Sequence, residues 1–139
     1  MIDRHALAPG FEIPTFAREG TFHHWSRFAG AHHEFADHHM DDDVGRHEGF
    51  DAAVAMAPLT HAYMYALLRS WIGEDDAWVA AVSVRFRRPF LRGRRLTGHG
   101  RVTEVQSHDG DTIVELAIWA DDDTGTRVVD GTGKVVIGS

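Results

Sequence analysis

From Pro58 to Trp71 the apolar side chains recur at helical spacing, with Leu59, Ala62, Tyr63, Ala66, Leu67 and Trp71 on one stripe. Pro58 suits the first turn of that helix and Gly73 its end. Small residues at Ala52, Ala53, Ala55, Ala57, Ala62 and Ala66 would let it lie close against a sheet. Beyond Gly73 the period changes from helical to alternating. Trp78–Arg88 alternates, with Val82, Val84 and Phe86 on one side and Ser83, Arg85 and Arg87 on the other. Pro89 and Gly93 bracket a turn, and Leu96–Gln106 forms a second strand in which Gly98 and Gly100 predict a bend or bulge. His108-Asp109-Gly110-Asp111 signals a hairpin. Ile113–Ala120 follows with Val114, Leu116 and Ile118 inward, then a turn over Asp121–Thr126 and a last strand over Arg127–Ile137. The prediction is one long helix followed by four antiparallel strands in a meander.

Ahead of the helix the rhythm is weaker. Residues 1–20 carry Pro9-Gly10 and Pro14 and predict an extended entry segment with a short strand. Thr21 precedes Phe22, Trp25, Phe28 and Ala29, a short helical set with Gly30 as its stop. A histidine-rich loop comes next, with a short helix around Asp42–Glu48 ended by Gly49. One helix on one face of a curved antiparallel sheet is an α+β layer architecture. Such a sheet leaves edges to cover, which predicts pairing with a second subunit. The helical stripe also places Trp71 in the core, with Trp78 beside it.

The 139 residues suffice for a single domain with a normal core, and 43% hydrophobic with 25% charged residues is the balance of a soluble globular protein. No apolar run approaches the roughly 20 residues that cross a bilayer. Met1-Ile2-Asp3-Arg4-His5 lacks a basic start followed by an apolar stretch, so no export signal or membrane association is expected. With no cysteine there is no disulfide, thiolate metal site or cysteine nucleophile, and the cytoplasm is the expected compartment. A net charge of −7 argues against nucleic-acid binding. The charge is uneven: Asp41-Asp42-Asp43, Glu74-Asp75-Asp76 and Asp121-Asp122-Asp123 are acidic clusters at loops or element ends. Against them, Arg85, Arg87, Arg88, Arg92, Arg94 and Arg95 form one basic strip. The strip reads either as solvent-facing arginines on a strand and turn or as contacts for a small polyanion.

Seven of the 11 histidines fall between His23 and His47. The densest part is His32-His33-Glu34-Phe35-Ala36-Asp37-His38-His39-Met40-Asp41, with Glu34 five residues before His39. A carboxyl and an imidazole are the minimum equipment for taking up one proton and delivering another near neutral pH. A solvated surface pair and a metal site are the competing readings. His39-Met40-Asp41 with a distant His99 has the form of a His-x-Asp…His iron triad, but that site needs a jelly roll with more strands than this chain offers. No metal is therefore expected.

Four stretches together resemble the MaoC-like hydratases and dehydratases of the hotdog fold. Phe28-Ala29-Gly30-Ala31 and Glu34-Phe35-Ala36-Asp37-His38-His39-Met40-Asp41 match the family's Ala-Gly-Ala and Asp-x-Asn-Pro-x-His-x-Asp. Ser70-Trp71-Ile72-Gly73 matches Asp-Trp-x-Gly, and Val84-Arg85-Phe86-Arg87-Arg88-Pro89-Phe90-Leu91-Arg92-Gly93 matches Val-Arg-Phe-x-x-Pro-x-x-x-Gly. The resemblance spans roughly residues 21 to 137. Glu34 stands where the family has Asp, Ala36-Asp37 where it has Asn-Pro, and Ala57 where its Ala-x-Gly has glycine.

The resemblance implies a hotdog fold and hydration of 2-enoyl-CoA thioesters, or the reverse dehydration of 3-hydroxyacyl-CoA. It assigns the proton transfers to Glu34 and His39 and an oxyanion contact to the backbone N–H of Ala57. It further implies substrate contacts from Asp41, Met56, Arg85, Arg87 and Arg88, although Asp41 also suits a helix N-cap. Coenzyme A enters as part of the substrate, with no separate cofactor. The expected assembly is a homodimer or a heteromer with another hotdog subunit. A non-catalytic subunit of such a heteromer and a hotdog thioesterase, with Glu34 activating water against the carbonyl, are the alternatives.

Overall fold

Alternating residues draw five strands into one antiparallel sheet in the order β1-β3-β4-β5-β2. The strands are β1 (Phe16–Glu19), β2 (Ala77–Phe86), β3 (Arg95–His108), β4 (Asp111–Asp122) and β5 (Arg127–Ile137). Helices α1 (Phe22–His32), α2 (Asp42–His47) and α3 (Ala57–Ile72) precede all but the first of them. This computed structural model describes residues 2–73 and 76–139, so Glu74 and Asp75 of the middle acidic cluster lie outside the described residues.

β3, β4 and β5 are the predicted meander. Asp109 and Gly110 both take positive φ (50° and 91°), which makes the two-residue turn that matches strand twist. At the next turn the Asp122 carboxylate accepts hydrogen bonds from the N–H groups of Thr124 (2.8 Å) and Thr126 (3.1 Å). β2 departs from the meander. It pairs with β5, Val84 opposite Gly131, and not with its sequence neighbour β3. The reason lies in residues 87–94, which do not turn back but cross to the loop before α3. Arg92 N–H donates to Ala53 O (2.9 Å), Ala55 N–H donates to Phe90 O (2.7 Å), and Leu91 bridges to Val54.

The core lies between α3 and the inner face of the sheet. Val114, Leu116, Ile118, Val135 and Ile137 point inward and are fully buried, as the alternation predicts for β4. Each such side chain contributes about 1.5–3 kcal/mol by leaving water. The buried face of α3 is Leu59, Thr60, Met64, Leu67, Leu68 and Ile72. The predicted stripe is therefore rotated by about one residue, roughly 100° on a helix. Ala62, Tyr63, Ala66 and Trp71 end up on its half-buried flank. The sheet decides the rotation. Leu68 sits on Gly133, where a Cβ would come within 2.6 Å of its Cδ1, and Leu67 sits over Gly98. Gly98 and Gly100 thus provide room and not a bulge, which falls between Val102 and Glu104. Trp78, expected in the core, is 49% exposed on β2, and Phe86 is 47% exposed.

α1 runs through Gly30 and stops at His33. Its Trp25 is fully buried and packs edge-on to Phe90 at 5.9 Å, tying α1 to the crossing segment. The outer face of the sheet is polar. Arg101–Glu12, Lys134–Glu115, Arg127–Asp121 and Arg87–Asp130 pair across it, and Trp119 stacks on His99. An antiparallel sheet with one packed and one solvated face accounts for that pattern. Among the described residues no helix is long and apolar enough to cross a membrane.

Candidate active site

The site begins where α1 ends. His33 takes a left-handed conformation (φ 57°), and the N–H groups of His33 and Glu34 both return to Ala29 O. This is a helix C-cap made without glycine. The chain then makes a single 3-10 turn over Asp37–His39, which turns His39 inward until it is 5% exposed. A buried imidazole needs partners at both nitrogens. His39 Nδ1 lies 2.7 Å from Val54 O, and Nε2 lies 3.2 Å from Glu34 Oε1.

A carbonyl can only accept, so Nδ1 carries the hydrogen and Nε2 faces the carboxyl. If Nε2 were unprotonated and Glu34 ionised, two lone pairs would face each other. With one proton between them, on Nε2 as imidazolium and carboxylate or on Oε1 with both groups neutral, the contact is a hydrogen bond. Glu34 and His39, which the sequence reading put together, are together.

The support beneath them is mostly backbone. Val54 N–H donates to His38 O (2.9 Å) while Val54 O receives His39, so strand-like pairing holds the two segments in register. One turn on, Asp41 caps α2 by accepting from Asp43 N–H (2.7 Å) and Val44 N–H (3.4 Å). Its carboxylate has the structural job, not a place on the Glu34–His39 pair. Asp42 accepts from Ala53 N–H (3.0 Å) and from Arg92 Nε (2.7 and 2.8 Å), with a further contact from the guanidinium. The Arg92 hydrogen bond, followed by that from Ala53, holds the Asp42 carboxyl down at about 2. Gly45 lies so close to Ala52 that a Cβ would fall 2.2 Å from its carbonyl oxygen. Sequence reading missed Asp42, Gly45 and Val54. An isolated glycine inside a short helix was a usable sign of close approach; a backbone carbonyl leaves no sign.

Ala57 opens α3, and its N–H has no acceptor among the described residues. It lines a cleft of about 290 Å³ with Ala55, Thr60, Phe86, Arg88 and Phe90. Glu34 and His39 do not line that cleft. Met56, expected to touch substrate, is fully buried and caps α3 through its backbone.

The arginine strip is dispersed. Arg87 makes a two-bond pair with Asp130 (2.9 and 3.1 Å), which pushes the Arg87 pKa up and the Asp130 pKa down. Arg92 is committed to Asp42, and Arg95 lies 3.7 Å from Glu19. Arg88 lines the Ala57 cleft, Arg85 lies on the outer face of β2, and neither has a carboxylate within 4 Å among the described residues. The iron-triad reading fails on geometry: Asp41 caps a helix, His99 stacks on Trp119 (5.5 Å), and no group of three ligand side chains converges among the described residues.

No family model matches this chain, and no curated protein matches it in sequence. Solved structures do. An (R)-hydratase from A. caviae involved in PHA biosynthesis superposes with a TM-score of 0.83 at 19% identity, over 96% of this chain and 98% of that one. A MaoC-like dehydratase from Rhodospirillum rubrum gives 0.79 at 21%, over 99% and 97%. The ChsH1–ChsH2 complex from Mycobacterium tuberculosis gives 0.79 at 19%, over 94% and 98%. The chain therefore has the hotdog fold of MaoC-like dehydratases and (R)-hydratases, with its curled sheet around a long helix.

Proposed function

We propose that this chain is a MaoC-like hydro-lyase that adds water to 2-enoyl-CoA thioesters, or removes it from 3-hydroxyacyl-CoA, using Glu34 and His39 for the two proton transfers. The observation that carries the reading is the buried His39, fixed at Nδ1 by a backbone carbonyl and facing Glu34 through Nε2. Such a pair can run a closed proton cycle. Starting from carboxylate and imidazolium, Glu34 takes a proton from water as its oxygen bonds to C3, and His39 delivers a proton to C2. The pair is left as carboxylic acid and neutral imidazole. Transfer from Oε1 to Nε2 across 3.2 Å restores the start.

The electrons that leave the C2–C3 double bond pass through an enolate-like thioester oxygen. The N–H of Ala57, at the positive end of α3, is the donor for it, since Pro58 has none. Arg85 and Arg88 remain available to the phosphates of coenzyme A, and Arg87, held by Asp130, contributes less.

A second reading rests on one observation. Glu34 and His39 do not line the cleft at the N-terminus of α3 in the single chain, and β2 leaves an edge with Trp78 and Phe86 half exposed. A second hotdog subunit, identical or different, would complete the substrate path, and this chain could then be the partner that does not carry the reaction. Incubation of the purified protein with a panel of 2-enoyl-CoA thioesters, followed by mass spectrometry, tests both. Gain of one water with the thioester intact supports the hydratase. Release of free coenzyme A marks a thioesterase, and no conversion by folded protein moves the reading to the heteromer.

A further inference from the structure

The proposed chemistry uses one oxygen of Glu34, and the other is also engaged. Glu34 Oε2 lies 3.7 Å from Nε2 of His32, so the carboxylate is bracketed by two imidazoles. His32 is itself held. Its ring stacks on Phe28, one helical turn back, with centroids 5.1 Å apart and planes 29° from parallel. Phe28 in turn packs against the core. Among the described residues, His32 and His39 are the basic groups within 4 Å of Glu34. His38, the neighbour of His39, is turned to Glu48 (3.2 Å), and its ring meets His39 edge-on at 4.2 Å.

We infer, on the basis of the hydratase reading above, that His32 is a positioning residue: it holds the far oxygen of Glu34 so that the near oxygen stays on His39. The need is physical. A glutamate has three side-chain torsions to order, and this one leaves the backbone just after a left-handed residue at the end of a helix. His39 alone fixes one oxygen and leaves the plane of the carboxyl free to swing. A second basic group on the other side of the same carboxyl removes that freedom. At 3.7 Å the contact is a long approach of a ring nitrogen to the carboxyl and not a formed hydrogen bond. With the two side chains 47% and 33% exposed, its strength is that of a surface pair. The effect on turnover is accordingly a modest factor, about two- to fivefold, and falls on kcat.

The test compares His32→Ala, His32→Gln, Glu34→Gln and the double variant His32→Ala/Glu34→Gln. His32→Ala is expected to lower kcat for a short 2-enoyl-CoA by about two- to fivefold at unchanged KM. His32→Gln, which keeps an N–H donor of similar reach, is expected to recover most of the loss. Adding His32→Ala to Glu34→Gln should change nothing further, because the residue acts through Glu34. The inference is overturned if His32→Ala leaves kcat unchanged, alters KM alone, or costs as much in the Glu34→Gln background. A second readout is independent of turnover. The imidazole 15N signal of His39 Nε2 should move in His32→Ala in the same direction as in Glu34→Gln, although His32 does not touch His39. An unmoved signal rejects the positioning role even in a chain with no hydratase activity, and absence of turnover with a moved signal rejects only the hydratase reading.

Discussion

Two stretches of this chain are dense in one functional residue type, and the fold treats them in opposite ways. The loop from His32 to His47 buries one histidine of five, His39, and ties it to a carbonyl and a carboxyl. The strip from Arg85 to Arg95 is divided: three of its six arginines reach carboxylates on β1, α2 and β5, and the rest face clefts or solvent. Density of a side chain is common to both. Burial of a ring with both nitrogens engaged is found in the first alone, and the proposed proton transfer rests on that defined geometry. Even the strip's most constrained member, Arg92, serves the loop: through Asp42 it pins the segment that presents Val54 to His39.

The contrast can be broken at several points. The largest effect is expected from His39→Gln, which keeps size and polarity and removes the ring that passes the proton in the proposed cycle. Turnover of a 2-enoyl thioester should fall by about 10²- to 10⁴-fold with the circular-dichroism spectrum unchanged. Next is the packing that anchors the loop. Gly45→Ala forces a Cβ into Ala52 O and should cost about 1–3 kcal/mol, read as a lower urea midpoint at unchanged slope.

The Asp42–Arg92 pair predicts a pH signature. The Asp42 carboxyl titrates at about 2 in the fold and near 3.8 without its partners, so its stabilisation is full above pH 4 and lost as pH falls towards 2. The gap in urea midpoint between wild type and Asp42→Asn should therefore narrow over that interval; a constant gap would mean that the pair does not stabilise the loop. The smallest effect is expected from Arg87→Ala. Its pair with Asp130 is solvent-exposed on the outer face, and neither the midpoint nor kcat should change measurably.

Legibility followed the range of the interactions. The Asp109-Gly110 hairpin, the inward Val114, Leu116 and Ile118, and the bounds of β5 are local, and the sequence announces them. The partner of β2 is not local. It depends on residues 87–94 crossing to Ala53–Ala55, which no pattern within β2 encodes. The face of α3 has a similar cause: Gly98 and Gly133 on distant strands receive Leu67 and Leu68, so Leu68 joins the expected Leu67 in the core and Ala62 and Ala66 stay on the flank. In the site, Glu34 and His39 were legible from their chemistry and from the family resemblance. The groups that make them a pair are the Val54 carbonyl and the left-handed His33, and a backbone position carries no residue signature.

The central claim is that proton transfer belongs to the anchored pair and substrate attraction to the uncommitted Arg85 and Arg88 of the strip. The most direct test is steady-state kinetics of Glu34→Gln beside Arg88→Ala on the same 2-enoyl-CoA. The account predicts that Glu34→Gln lowers kcat by about a hundredfold or more and that Arg88→Ala raises KM with kcat retained. Near-normal kcat in Glu34→Gln, with kcat instead lost in Arg88→Ala, would contradict it.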